Sequence, residues 1–314
     1  MATQTSVVLA ALFANGAIAV MKFGGFLLTG SPAMLSEVYH SISDTGNQVF
    51  LLIGIRYGAQ DATRAHPFGY GKAQFFYSFL VSVMLFGIAG WESASHGYEA
   101  LTHGGVHRAN DPVTLLGTTF DPVYVNYAVL LGAIAFETYA FKKAYVAITM
   151  QMDEHGWETF REAFRKTSDV TTLTALTEDF IALAGAGIAL FGIYLTRQTG
   201  NSVYDAGAAL IIGLMLMGFA IALAWENKRL LIGESISQTD ERELRDIIIA
   251  GDGIVEIDDF RTVYFGPSHL LVAADVVFEP GLETAEIDRS ISDIERELRD
   301  HNGHVKSVYI EPED

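Results

Sequence analysis

The 314-residue chain contains no cysteine, which removes both a disulfide framework and thiolate metal ligation. A bound metal would therefore rest on His, Asp or Glu, helped by neutral oxygens. Lysine is scarce too, supplying 7 of the 20 basic residues. Positive charge as a whole is outnumbered, with 20 Lys+Arg against 38 Asp+Glu and a net charge of −18. That balance argues against a nucleic-acid partner and provides no electrostatic attraction to anionic lipid. From Arg229 to the end there are 21 Asp+Glu against 8 Lys+Arg, so most of the imbalance lies in the tail. An acidic, Lys-poor surface suits high salt, and a prokaryote, halophilic among the candidates, is the expected source. No basic residue precedes the first apolar run after Met-Ala-Thr-Gln-Thr, so no cleaved signal peptide is expected.

Apolar residues, by contrast, are abundant: half the chain is hydrophobic and mean hydropathy is +0.27. Six apolar stretches reach the ~20 residues that a membrane-spanning helix needs. They cover about 6–28, 33–56, 74–97, 124–147, 169–194 and 204–226, with Lys142 and Lys143 clouding the end of the fourth. Basic residues gather between spans two and three (Arg56, Arg64, Lys72) and around the end of span four (Lys142, Lys143, Arg161, Arg165, Lys166). The opposite loops hold only Arg108 and Arg197. The positive-inside rule then puts both termini in the cytoplasm, in a multi-pass protein expected in the plasma membrane.

Beyond Arg229 the pattern becomes that of a soluble domain. Residues 239–250 read as an amphipathic helix with Thr239 as its cap, and 283–301 as a second. Residues 254–264, 270–279 and 305–310 read as strands. The expected fold is thus membrane all-α, a six-helix transmembrane bundle over 1–228, plus a small C-terminal cytoplasmic α/β domain (α-β-β-α-β) over 229–314.

The stretch Gly30–Ile55 is the most informative. Glu37, His40, Asp44, Asn47 and Gln48 recur at helical spacing and share one stripe. His40 and Asp44 stand one turn apart, a natural half-site for a divalent metal. Ionisable groups in hydrocarbon must face protein, water or an ion, so the other half is sought in another span. Span five offers Glu178 and Asp179, which as neighbours point about 100° apart. Glu37, Asn47, Glu137 and Lys22 are candidates for the pathway or for proton handling, with a structural Lys22–Glu137 salt bridge as the plain alternative. Asp205 is expected at the outer interface. Candidate peripheral metal ligands are Asp61 with His66 in the loop His66-Pro-Phe-Gly-Tyr-Gly-Lys72, and His301 with His304 in the soluble domain; solvated loop histidines are the plain reading there.

The motif His40-x-x-x-Asp44-x-x-Asn47-Gln48, the His66–Lys72 loop, the Glu178–Asp179 pair, Leu231-Ile-Gly-Glu and the terminal Val-Tyr-Ile-Glu-Pro-Glu together resemble the cation diffusion facilitator family. The resemblance covers nearly the whole chain and is nearest the branch related to the vertebrate zinc-transporter-nine group. It implies a homodimer with metallochaperone-like cytoplasmic domains, exporting zinc or a related divalent cation (iron, manganese or cobalt) in exchange for protons. It also implies a metal site of two positions on helix two, matched by His40 and Asp44, and two on helix five. Asp179 matches one of the latter. The other is Ala175 here, where many members carry His or Asp, so Glu178 would substitute, or three protein ligands would be joined by water or Thr174.

The expected function is therefore divalent-cation efflux by proton antiport, not catalysis. A membrane metallohydrolase would need more histidines at depth and a positioned base. The remaining alternative is a non-transporting scaffold or metal sensor acting through the C-terminal domain, which leaves the cost of the intramembrane charges without a return.

Overall fold

The computed structural model describes residues 2–103, 113–115, 118–155, 158–160 and 170–313. Arg108, Arg161, Arg165 and Lys166, on which part of the orientation argument rests, lie outside the described residues, as do the side chains of Thr174 and Ala175. Among the described residues, the N-terminal part has six long helical segments: α1 (Ala2–Thr29), α2 (Pro32–Gly58), α3 (Lys72–Met84) continued through a π-helical turn (Leu85–Gly90) into α4 (Trp91–His103), α5 (Val123–His155), α6 (Val170–Thr199) and α7 (Val203–Ile232). The α3–α4, α5, α6 and α7 segments are each long and apolar enough to cross a membrane. α1 contributes a shorter apolar helix from Asn15 to Thr29, and α2 is diluted by its polar stripe. Lys142 and Lys143 do not end the fourth helix. Lysine is a good helix former, and Lys143 Nζ folds back over the Tyr139 ring one turn away, 4.8 Å from its centre.

Short polar groups set the joints. Gly30 ends α1 at a φ of +66°, a left-handed conformation that glycine adopts without penalty. Ser31 then caps α2, its hydroxyl accepting from the Met34 N–H at 3.1 Å, with Pro32 at the first helical position. A hairpin not expected from the sequence, β1 (Val113–Leu115) with β2 (Thr118–Phe120), precedes α5.

Two compact units emerge from the contacts: Met1–Leu52 with Leu80–Ala224, and Ile53–Phe79 with Trp225–Asp314. The first has a core of small and branched side chains from α2, the π turn, α5, α6 and α7, including Met34, Leu130, Ala186, Ile212 and Leu216. α4 and α7 approach almost backbone to backbone. A side-chain carbon added at Gly97 would lie 2.5 Å from the Leu210 nitrogen, and one at Gly213 would lie 2.3 Å from the Ala94 nitrogen. Phe13, Phe191, Leu214 and Trp225 are exposed on the helices, as a bundle solvated by lipid allows.

The second unit contains α8 (Gln238–Ile249), β3 (Ile254–Gly266), β4 (His269–Phe278), α9 (Thr284–His301) and β5 (Val305–Glu313), in the α-β-β-α-β order. The sheet runs β3-β4-β5, antiparallel then parallel, with α9 as the crossover between β4 and β5. β4 alternates strictly, burying Leu270, Val272, Ala274, Val276 and Phe278. Leu244 and Ile248 of α8 and Ile294 and Leu298 of α9 complete that core. The cap of α8 is Ser237, whose hydroxyl accepts from the Asp240 N–H, and not Thr239. Both residues carry a hydroxyl; the backbone at Ser237 is the one still extended.

This unit also takes in the loop that joins α2 to α3. Phe68 stacks on Phe265 at the β3–β4 turn with ring centres 4.4 Å apart, and Lys72 Nζ lies 5.1 Å over the same ring. Beneath them Gly71 meets the hairpin backbone so closely that a side-chain carbon there would sit 2.4 Å from the Phe265 carbonyl oxygen. His269, 5.9 Å from the Phe265 ring centre, shares a 3.0 Å hydrogen bond with Ser307. Burial first, then the nearby Lys306, holds its imidazole below the usual range.

Two outcomes are expected. Gly71→Ala should release the 60–72 loop from the hairpin at a cost of about 1–3 kcal/mol, read as faster limited proteolysis of that loop. His269 is protonated less readily in the folded chain than in the unfolded chain, where imidazole titrates near 6.5. Stability should therefore fall as pH drops below about 6.5 toward the lowered folded value. His269→Gln should flatten that part of the unfolding midpoint against pH.

Candidate metal site

The polar stripe of α2 forms, and it faces protein. Glu37, His40, Ser41 and Ser43 are buried, while Asp44, Asn47 and Gln48 are partly so. His40 Nε2 lies 3.2 Å from Asp44 Oδ2. The approach is off the line of a hydrogen bond, and both imidazole nitrogens are buried without a hydrogen-bond partner. A buried imidazole with neither nitrogen satisfied is an incomplete arrangement. It suits a ring that waits for a proton or a metal.

From α6, Glu178 reaches α2 and accepts from Asn47 Nδ2 at 3.1 Å. It lies within electrostatic reach of Asp44, His40 and Asp179. Asp179, the next residue round the helix, is partly buried. Glu137 of α5 joins the same neighbourhood, within reach of Asp44, His40, Lys22 and Asp179. With Glu37 of α2, also within reach of His40 and Asp44, the helices α2, α5 and α6 bring one imidazole and five carboxylates into a shared field. Among the described residues, no three His, Asp or Glu side chains converge closely enough to hold a metal in this arrangement.

Lys22 is paired, but not with Glu137. Its Nζ donates to Glu37 Oε2 at 2.7 Å, and the two side chains are 3% and 1% exposed. This corrects the sequence expectation: both carboxylates lie in apolar runs, and the pairing is decided by which face α1 turns to α2. Glu37 Oε1 is buried without a partner. It lies against α6, where a side-chain carbon at Gly185 would come within 2.8 Å of it.

Other expected ligands separate. His66 packs on the Tyr70 ring, centres 4.3 Å apart, and Asp61 is exposed. His301 Nε2 lies 3.2 Å from Glu243 Oε2, pairing α9 with α8. His304 is exposed, with its backbone N–H donating to Asn302 Oδ1. None of these belongs to a metal-holding group among the described residues.

The structure adds groups that sequence reading passed over. Asp205, expected at the outer interface, is 2% exposed and accepts from the Ser31 hydroxyl at 2.9 Å and the Ala33 N–H at 3.1 Å. It thereby secures the start of the helix that carries His40. Asn126 of α5 donates to Thr29 at 2.9 Å, just before that joint. On α4, His96 stacks on Tyr39 and stands 3.7 Å from Glu92 and 4.0 Å from Glu99. The i, i+4, i+7 spacing of Glu92, His96 and Glu99 is a legible signal for that cluster.

Comparison with known proteins gives the family to which this membrane bundle and its C-terminal domain belong. The chain belongs to the cation efflux family, also called cation diffusion facilitators: residues 8–232 match the model of the cation efflux transmembrane domain, and 236–314 that of the cation efflux protein cytoplasmic domain. It is 27% identical over 295 residues to the proton-coupled zinc antiporter SLC30A9, mitochondrial, of Mus musculus, covering 92% of this chain and 50% of that protein. It is 26% identical to metal tolerance protein C4 of Arabidopsis thaliana, over 85% of this chain and 56% of that one. Magnetosome protein MamM of Paramagnetospirillum magneticum is 30% identical over 46% of this chain and 44% of that protein. The chain spans about half the length of the first two relatives.

Asp205→Ala should leave the buried Ser31 hydroxyl and Ala33 N–H without an acceptor. That is expected to cost about 1–3 kcal/mol, and Asp205→Asn, which keeps an acceptor, appreciably less. Thermal unfolding of the purified protein in detergent reads both.

Proposed function

We propose that this chain exports a divalent metal cation, zinc foremost with iron, manganese and cobalt as alternatives, in exchange for protons by alternating access. The observation that carries the reading is the His40–Asp44 contact, buried on α2 with both imidazole nitrogens unsatisfied. In this reading His40, Asp44, Asp179 and Glu178 are the metal ligands. Asn47 orients Glu178, and Glu37, Glu137 and Lys22 set the charge around the site. The ligands close on the ion in one state of the cycle and separate in another. An imidazole and carboxylates must lose protons to bind a metal, so ion and proton compete for the same atoms. That competition is the coupling.

The relatives named proton-coupled zinc antiporter SLC30A9 support the choice of ion and counter-ion. The 236–314 match, whose family model is named for dimerisation, supports a homodimer. The proposed setting is multi-pass in a lipid membrane, the plasma membrane of a prokaryote, with the 1–228 bundle spanning it and the 229–314 domain in the cytoplasm beside both termini.

Proteoliposomes with an imposed pH gradient test this reading against zinc, manganese, iron(II) and cobalt. Flux should follow the gradient, and Asp44→Ala or His40→Ala should lower it by more than about 100-fold, beyond what loss of a supporting partner costs. Both variants should still insert into the membrane. Normal flux through Asp44→Ala would sink the site assignment, and absence of flux for every ion from a folded dimer would favour the scaffold reading.

A further inference from the structure

Lys22 of α1 and Glu37 of α2, the helix that carries His40, form a buried ion pair. Glu37 sits three residues before His40, one turn along the same stripe, and is within electrostatic reach of it, as Lys22 is. Lys22 also acts on Asp44. The pair is asymmetric. One carboxylate oxygen receives the ammonium at 2.7 Å, while the other, Oε1, is fully buried and accepts from no donor. A buried acceptor oxygen without a donor, on a residue one helical turn from an imidazole with two unsatisfied nitrogens, marks a place where a cation would be welcome. A cation already stands there, supplied by α1.

We infer that Lys22 is a resident cation that keeps Glu37 out of the ligand set, limiting how tightly the α2 site holds a divalent ion. It also limits how many oxygen ligands the site offers. The inference rests on the reading of His40 and Asp44 as transport ligands and sharpens the part that reading gives Lys22 in the charge around the site. Its physical basis is charge. With Lys22 in place, the pair adds no net charge to the field at His40, and Glu37 Oε2 is occupied by the ammonium. Without Lys22, a free carboxylate would stand one turn from the site. Even at an effective dielectric constant of about 20, a unit charge at that distance alters the affinity of a divalent ion by more than about tenfold. Ions that favour oxygen, such as manganese, would gain more than zinc, which is well served by imidazole. A transporter also has to release its ion, so a ceiling on affinity favours turnover. Lys22 is thus a positioning residue that acts through Glu37.

Equilibrium binding of zinc and manganese to the full chain in lipid nanodiscs, by competition with a fluorescent chelator, tests this. Lys22→Met should tighten zinc by about tenfold or more and manganese by a larger factor. Glu37→Gln, which leaves the Lys22 charge uncompensated beside the site, should weaken both ions. The double variant Lys22→Met/Glu37→Gln should return both affinities to near the wild-type values. Opposite signs from the two single variants are the signature, since a merely structural pair would lose affinity or folding in both. Should Lys22→Met fail to fold, Glu37→Gln and the double variant still decide, by weakening and recovery. Shifts of the same sign, a double variant that does not recover, or folding lost in both single variants would overturn the inference. Flux is measured on the same purified protein after reconstitution into proteoliposomes. A wild type that binds zinc but carries none fails the antiport reading and leaves the Lys22 inference to be judged on affinity.

Discussion

Ionised groups inside an apolar bundle are costly unless something answers each of them, and the transmembrane part of this protein is arranged around that cost. Lys22 answers Glu37, Asn47 answers Glu178, and the N-terminus of α2 with Ser31 answers Asp205. His40 is left open, with both nitrogens buried and unsatisfied beside Asp44, and Glu37 keeps one buried oxygen, Oε1, without a donor. Among the described residues, the two ionisable groups left with a buried, unpartnered atom, Glu37 and His40, stand one turn apart on α2. The small-residue contact of α4 with α7 and the capped start of α2 make such close positioning possible, because each fixes a helix against its neighbour without bulky side chains between.

The extent to which these features were legible in the sequence follows from how far each depends on contacts between helices. The stripe of Glu37, His40, Asp44 and Asn47 was readable because helical periodicity is local. The α-β-β-α-β order of the C-terminal domain was readable for the same reason, with β4 alternating and α9 amphipathic. The partner of Lys22 was not. Glu37 and Glu137 are equally apolar in context, and only the rotation of α1 against α2 distinguishes them. Asp205 looked interfacial because it opens a span, and nothing local reveals that it reaches across to cap α2. The π turn at Leu85–Gly90 has no local sequence signal, and the hairpin before α5 is too short to show a period.

Metal ligands expected outside the bundle fared differently, for a physical reason. His66 and His301 each found a partner near at hand, an aromatic ring and a carboxylate respectively. An exposed imidazole among many acidic residues readily forms such pairs, and proximity in sequence says little about convergence. The bundle imposes a stricter test, because a group buried there has few neighbours to choose from.

The docking of the α2–α3 loop on the β3–β4 hairpin changes where the protein can be divided. A cut placed after α7, where the chain turns acidic, would look clean by composition. It would also remove Phe265 from beneath Phe68 and Lys72, and take away the glycine backbone against which Gly71 rests. The fragment left behind would carry a raw aromatic loop at the ends of two of its own helices. A truncated bundle is thus a different object from the bundle within the whole chain, and a defect in it could arise from the loop as readily as from the loss of the soluble domain.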